Sequence, residues 1–254
     1  MAEQSTTVPD SFLRHHWLRR VEHWVGALLF MGLAVTGLAQ RFHEAEWSGW
    51  VISAMGGIDH TRLVHRWTGL TFTLMFMVHL AVAVVGVLWR RWQPSMLISR
   101  QDFTDAVQNL RYYLRLAEHP ARCGRYDYRA KFEYWGVVLG SILMIATGFV
   151  LWFPVWFFQS FAFLPGESIP AAKTVHSNEA MLALSVVVIW HIYNSVFSPE
   201  VFPIDRCMFT GRISRERMLH EHPLEYERLT GEPAVHLADP DPVRVAESAP
   251  DDAL

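Results

Sequence analysis

Between Trp67 and Trp89 the chain reads WTGLTFTLMFMVHLAVAVVGVLW, without one Asp, Glu, Lys or Arg. A helix needs about 20 predominantly apolar residues to cross the hydrocarbon core of a bilayer, and this stretch is long enough. Tyr134–Phe158 is likewise free of charge, while Trp24–Ala39 and Ala180–Phe197 are shorter and continue into mixed flanks. Four such runs in 254 residues, in a chain that is 51% hydrophobic with 11 Trp, do not suit the buried helices of a soluble protein. The sequence therefore predicts an all-α, integral-membrane four-helix bundle with spans near 21–41, 64–89, 134–157 and 175–198. The first ten residues, MAEQSTTVPD, lack the basic start and apolar stretch of a cleavable signal, so none is expected.

Basic residues set the expected orientation. The segment before the first span, the connection 90–133 and the segment after 198 hold 3, 9 and 6 Lys or Arg, whereas the two other connections hold only Arg41, Arg62 and Lys173. The positive-inside rule then puts both termini and the long middle connection of this multi-pass chain in the cytoplasm. The formal net charge of −3 hides this asymmetry. Cys123 and Cys207 both fall on the predicted cytoplasmic side, where a disulfide is not expected. No C-x-x-C-H occurs, which excludes a covalently attached c-type haem, and two cysteines cannot hold an iron–sulfur cluster.

Within the middle connection, Phe103, Val107, Leu110 and Leu114 recur at helical spacing after a candidate N-cap, Ser99. This predicts a short amphipathic cytoplasmic helix, against the membrane surface or against a partner subunit. Trp156, Phe157, Phe158, Phe161 and Phe163 form an aromatic belt at the opposite interface, or a patch that receives another protein. Residues 1–230 are expected to form the membrane domain, and the polar, acidic, Pro-bearing 231–254 a disordered tail. No internal repeat, soluble domain, phosphate-binding loop or nucleophile motif stands out. Membrane lipid is an expected partner and nucleic acid is not. Whatever chemistry occurs belongs among the helices.

Five histidines lie in or beside the spans: His23, His65, His79, His176 and His191. Ionisable groups at membrane depth are costly, and one alone is satisfied by an interhelical polar contact; five point to function. His65 and His176 begin the second and fourth spans at the outer face. His191 lies about 22 Å further in, at 1.5 Å per residue, near the level of His23. Imidazoles from neighbouring helices at one depth suit the two axial positions of a haem, whose iron then has no open site and passes electrons. Zinc would need a third and a fourth ligand close by. Gly26, Gly32, Gly37, Gly69, Gly136, Gly140 and Gly148 leave room for a porphyrin or for close helix packing. Arg62, Arg66 and Lys173 outside, and Arg19 and Arg20 inside, are candidates to pair with propionates or to anchor the interface. Fifteen helical steps leave His176 and His191 about 60° apart around the helix, a mismatch that a π-bulge or a tilt between two haem planes would absorb. The competing reading is a haem-free membrane anchor or small proton-conducting transporter with the histidines in a proton path.

The stretches RRVEHWVGALLFMGLAVTG, RLVHRWTG, GRYDYRAKFEYWG, IWHIY and TGRIS resemble the di-haem cytochrome b (gamma) subunit of respiratory formate dehydrogenases and its relatives in nickel–iron hydrogenases and thiosulfate reductases, over roughly residues 14–230. The resemblance implies two haem b groups, an outer one on His65 and His176 and an inner one on His23 and His191. His79, fourteen residues after His65, is a reserve inner ligand, at a place where the family usually has no histidine. The resemblance also implies a quinone or menaquinone near the inner haem at Asp127, where the family has Asn; Asp127 or Glu133 is a candidate to relay protons, the alternative being a solvated acid beside Arg125, Arg129 and Lys131. Glu179, one turn below His176, suggests instead a quinol site at the outer face. The implied subunit is not catalytic alone. It carries electrons between the quinone pool and an extracytoplasmic partner, an iron–sulfur or multihaem cytochrome subunit, docked against 42–62 and 154–173.

Overall fold

The computed structural model describes residues 8–160 and 167–234. Phe161 and Phe163 of the aromatic belt, and all but the first four residues of the acidic tail, lie outside the described residues. Four helices are long and apolar enough to cross a membrane: α1 (Trp17–Arg41), then, beyond α2 (Glu46–Ala54), α3 (Ile58–Leu88), and, beyond α4 (Arg100–Tyr113), α5 (Tyr128–Trp152). After α6 (Pro154–Ser160), the fourth begins as α7 (Ser168–Ser185) and continues as wide π-type turns over Val186–His191 and Tyr193–Phe197. Their outward side chains are apolar and exposed, with Leu28, Leu88 and Ile189 each more than 70% accessible, as a lipid-facing surface requires.

The helix boundaries have local causes. The third span ends at Trp152, five residues before the end expected from hydropathy, because Pro154 lacks an N–H and opens the separate helix α6. Gly56 and Gly57, at φ of +86° and +106°, turn the chain into α3, a conformation that side-chain-bearing residues adopt only with strain. Ser48 of α2 donates to Ala39 O (2.5 Å), tucking α2 onto the end of α1 with both residues fully buried. Beyond α3, Trp92 folds back over Gly86, where a Cβ would collide with the indole.

The chain divides into two compact units. One holds residues 15–94, 133–160 and 167–211, and so nearly all of the four spans. In it, Arg20 donates to Phe209 O and Trp24 Nε1 to Met208 O (3.2 Å), so α8 (Cys207–Thr210) closes on the start of α1.

The other holds residues 8–14, 95–132 and 212–234. A two-stranded antiparallel ribbon, β1 (Ser11–Leu13) with β2 (Arg212–Ser214), joins its sequence ends, Phe12 opposite Ile213. Beside it run α9 (Arg215–Glu221) and α10 (Pro223–Thr230), whose Tyr226, 1% exposed, meets Phe12 edge-on at 5.9 Å. In the same unit Ser99 caps α4 as expected, through Asp102 (N–H to Oδ2, 2.6 Å). The polar side of α4 faces inward: Asp102 and Asn109 are buried, Asp102 pairs with Lys131 Nζ (2.7 Å), and Asn109 accepts from Ala121 N–H (2.7 Å). Phe103, Val107, Leu110 and Leu114 point outward instead.

Candidate functional site

The histidines of the spans meet in pairs at two levels. At the level of the C-terminal end of α1, here the upper level, His65 of α3 and His176 of α7 have ring centres 6.4 Å apart and ring planes at 76°. At the level of the N-terminal end of α1, the lower level, His23 of α1 and His191 of the π-type continuation of α7 are 6.1 Å apart at 39°. A metal ion sits about 2.0–2.1 Å from an imidazole nitrogen, itself about 1.1 Å from its ring centre, so an ion held between two imidazoles sets their centres about 6.3 Å apart. Both pairs meet this measure. Among the described residues no group of three or more His, Cys, Asp or Glu is arranged to hold a metal ion.

Each upper ring is held through Nδ1 by a threonine of the preceding span. Thr36 Oγ1 lies 2.8 Å from His65 Nδ1, and Thr147 Oγ1 lies 2.9 Å from His176 Nδ1. The next residue in each case is glycine, and a Cβ on Gly37 or Gly148 would stand 3.2 or 3.4 Å from the ring's Cε1. The imidazoles thus pack against bare backbone. At the lower level His191 Nδ1 meets Glu133 Oε1 at 2.5 Å. His23 Nδ1 is buried with no hydrogen-bond partner, a nitrogen that a metal would satisfy.

His79 differs. Its Nδ1 meets Glu22 Oε1 at 2.6 Å and Arg19 Nη1 at 3.2 Å, and its Nε2 meets the Tyr134 hydroxyl at 3.2 Å. Both ring nitrogens are engaged, and Arg19 also pairs with Glu22 (2.6 Å). Sequence reasoning missed Thr36, Thr147, Glu22 and Tyr134. The available signal was spacing, because the threonine precedes its histidine by 29 residues in both halves.

Other candidates have local partners. Asp127 accepts from Ala130 N–H (2.8 Å) and Arg129 Nε (2.7 Å), fastening the start of α5. Glu179 Oε1 occupies the space beside Gly140. Arg62 bonds Asp59 (3.4 Å), and Arg66 lies over the Trp152 ring (6.0 Å). Cys123 is buried and its thiol is pushed up to about 11, by desolvation first and then by the charge of Asp127.

Fold and site define a class: a helical membrane bundle with imidazole pairs at two depths. A family model described as prokaryotic cytochrome b561 matches residues 14–211, and the chain belongs to that family. Membership implies a b-type haem. The chain is 28% identical over 191 residues to the formate dehydrogenase cytochrome b556(fdo) subunit of Escherichia coli strain K12, covering 74% of this chain and 80% of that one. Its identity to the nitrate-inducible formate dehydrogenase cytochrome b556(Fdn) subunit of the same organism is 22% over 220 residues, 85% of this chain and 91% of the relative. A probable Ni/Fe-hydrogenase 1 B-type cytochrome subunit from that organism is 29% identical over 136 residues, 52% and 57% of the two chains.

Proposed function

We propose that this chain is the di-haem cytochrome b subunit of a respiratory oxidoreductase, with His65 and His176 as axial ligands of one haem b and His23 and His191 of another. The observation that carries the reading is the pair of imidazole couples, 6.4 and 6.1 Å between ring centres, on separate helices at two depths. Bis-imidazole haem supplies one-electron transfer without an open coordination site. The chain's own residues orient the ligand rings, through Thr36 and Thr147 above and Glu133 below, and leave His23 Nδ1 without another partner. His79 is assigned no ligand role, since both its nitrogens already have partners.

Basic-residue counts support a cytoplasmic location for both termini and the lower level, in a bacterial inner membrane. The relatives named above support a partner enzyme of the formate dehydrogenase or hydrogenase kind, joined through an iron–sulfur or multihaem subunit at the upper side. Quinone or menaquinone is the proposed exchange partner, with Asp127 as its contact and a site beside Glu179 as the second option.

A reduced-minus-oxidised spectrum with a haem count tests the reading on purified protein. Two haems with sharp α and β bands are expected. His65→Ala and His176→Ala should each remove one haem and retain the other. A protein without haem would instead be the membrane anchor or proton-conducting transporter, for which the Arg19–Glu22–His79–Tyr134 network is the supporting feature.

A further inference from the structure

The two halves of the bundle carry the same contacts at one constant interval. Glu22 and Glu133, Trp24 and Trp135, Thr36 and Thr147, Gly37 and Gly148, and His65 and His176 are all separated by 111 residues. The matched residues do matched things. Each threonine hydroxyl donates to the carbonyl four residues back, Gly32 O or Leu143 O, at 2.7 Å in both halves. Each leans on the carbonyl three residues back at 3.3 Å, and each meets the histidine Nδ1 at 2.8 or 2.9 Å. The glycine beside each threonine lets the ring approach at nearly equal distance. An internal repeat is therefore present, although it does not stand out along the sequence.

From this repeat we infer that Thr36 and Thr147 are the paired positioning residues of the upper haem, each fixing its histidine as the Nδ1–H tautomer with Nε2 left for iron. The inference rests on the ligand assignment proposed above. A hydroxyl has one proton, and here it is committed to the helix carbonyl. The oxygen can then only accept from the imidazole, so Nδ1 must carry a hydrogen. Donating to the carbonyl also polarises the hydroxyl and strengthens what it accepts. An acceptor at the outer nitrogen of a metal-bound histidine sets ring orientation and raises ligand basicity.

The repeat breaks at the lower level, which is why only the upper haem is held symmetrically. Glu22 reaches His79 across 57 residues and Glu133 reaches His191 across 58. The partner of His191 is His23, whereas the matching position, 111 residues on, is Tyr134, which hydrogen-bonds His79 directly. One lower couple thus pairs two imidazoles and the other pairs an imidazole with a phenol.

The test is redox titration with EPR on the purified haem-loaded protein. Thr36→Val and Thr147→Val keep shape and remove the acceptor. Each should raise the midpoint potential of the upper haem, shift its low-spin g-values and weaken its retention by roughly 10- to 100-fold, leaving the lower haem unchanged. Thr36→Ser and Thr147→Ser should restore the original values. Valine variants with two haems of unaltered potential and g-values would overturn the inference, and if His65→Ala still removes a haem, the ligand assignment survives. Unchanged haem content in His65→Ala would overturn the assignment itself. A measurement on the unsubstituted protein, with 15N-labelled histidine, does not depend on variants folding. Both upper ligands should show a protonated Nδ1 slow to exchange with deuterium, and an unprotonated or fast-exchanging Nδ1 would refute the inference.

Discussion

At the residue scale, what separates His23 from His79 is which of their nitrogens are already in use. His23 and His79 stand at similar depth, and by sequence either serves as partner of His191. Glu22 and Tyr134 occupy the two nitrogens of His79, and Nδ1 of His23 is buried without a partner. His23→Ala should therefore abolish the lower haem, and His79→Ala should leave two haems per chain. The readout is haem stoichiometry with separate α-band contributions. Loss of haem in His79→Ala with retention in His23→Ala would reverse the assignment.

At the scale of elements, two helices illustrate how local exceptions serve the whole. From His176 to His191 is fifteen steps, so a regular helix would leave the two rings about 60° out of line. The wide turn over Val186–His191 takes up this offset, with Ile192 N–H bonding Val187 O five residues back. Angular bookkeeping on the sequence leaves two remedies open, a π-bulge or a tilt between haem planes, and the chain has the π-type turn. Helix α4 is oriented the opposite way from a helix of a soluble core, its acidic and amide side chains inward and its apolar side outward, which suits a lipid surface. Its anchor is the ion pair of Asp102 and Lys131, each only about a tenth accessible. Lys131→Ala leaves Asp102 buried without its counter-ion and should destabilise this unit by about 3 kcal/mol, the low end for a broken buried pair because Ser99 still donates to the carboxylate. Thermal unfolding followed by hydrogen exchange over 95–132 measures this, and an unaltered exchange pattern would show that the pair adds nothing.

At the scale of the whole molecule, stability depends on pH through a group far from the imidazole pairs in sequence. His222 Nδ1 donates to Gly124 O (2.8 Å), and burial first, then the charge of Arg14, pushes its pKa down to about 4. The unfolded chain takes up that proton near its ordinary value of about 6.5, so the unfolded state binds more protons between those limits. The stabilisation is complete above pH about 6.5 and declines as pH falls to about 4, by about 3 kcal/mol in all. Hydrogen-exchange protection of 215–230, corrected for the intrinsic rate, should fall at least roughly tenfold between pH 7 and pH 5. Equal protection at both values would refute this role for His222.

The all-α membrane architecture was legible from hydropathy alone, and the same runs marked out the histidines as candidates. Uninterrupted apolar runs admit few alternatives once they exceed the bilayer thickness, and a histidine in such a run has to be accounted for by chemistry. Tertiary structure alone decided what surrounds those histidines. The threonine, glutamate and tyrosine partners come from other helices, 29 to 58 residues away, and the internal repeat shows in matched distances where few identities survive. The ribbon joining Phe12 to Ile213 was equally illegible, since three-residue strands have no periodicity to read and exist only because two distant segments meet. Hydropathy is a property of one segment, but a hydrogen bond between helices belongs to two, and only the folded chain brings both to the same place.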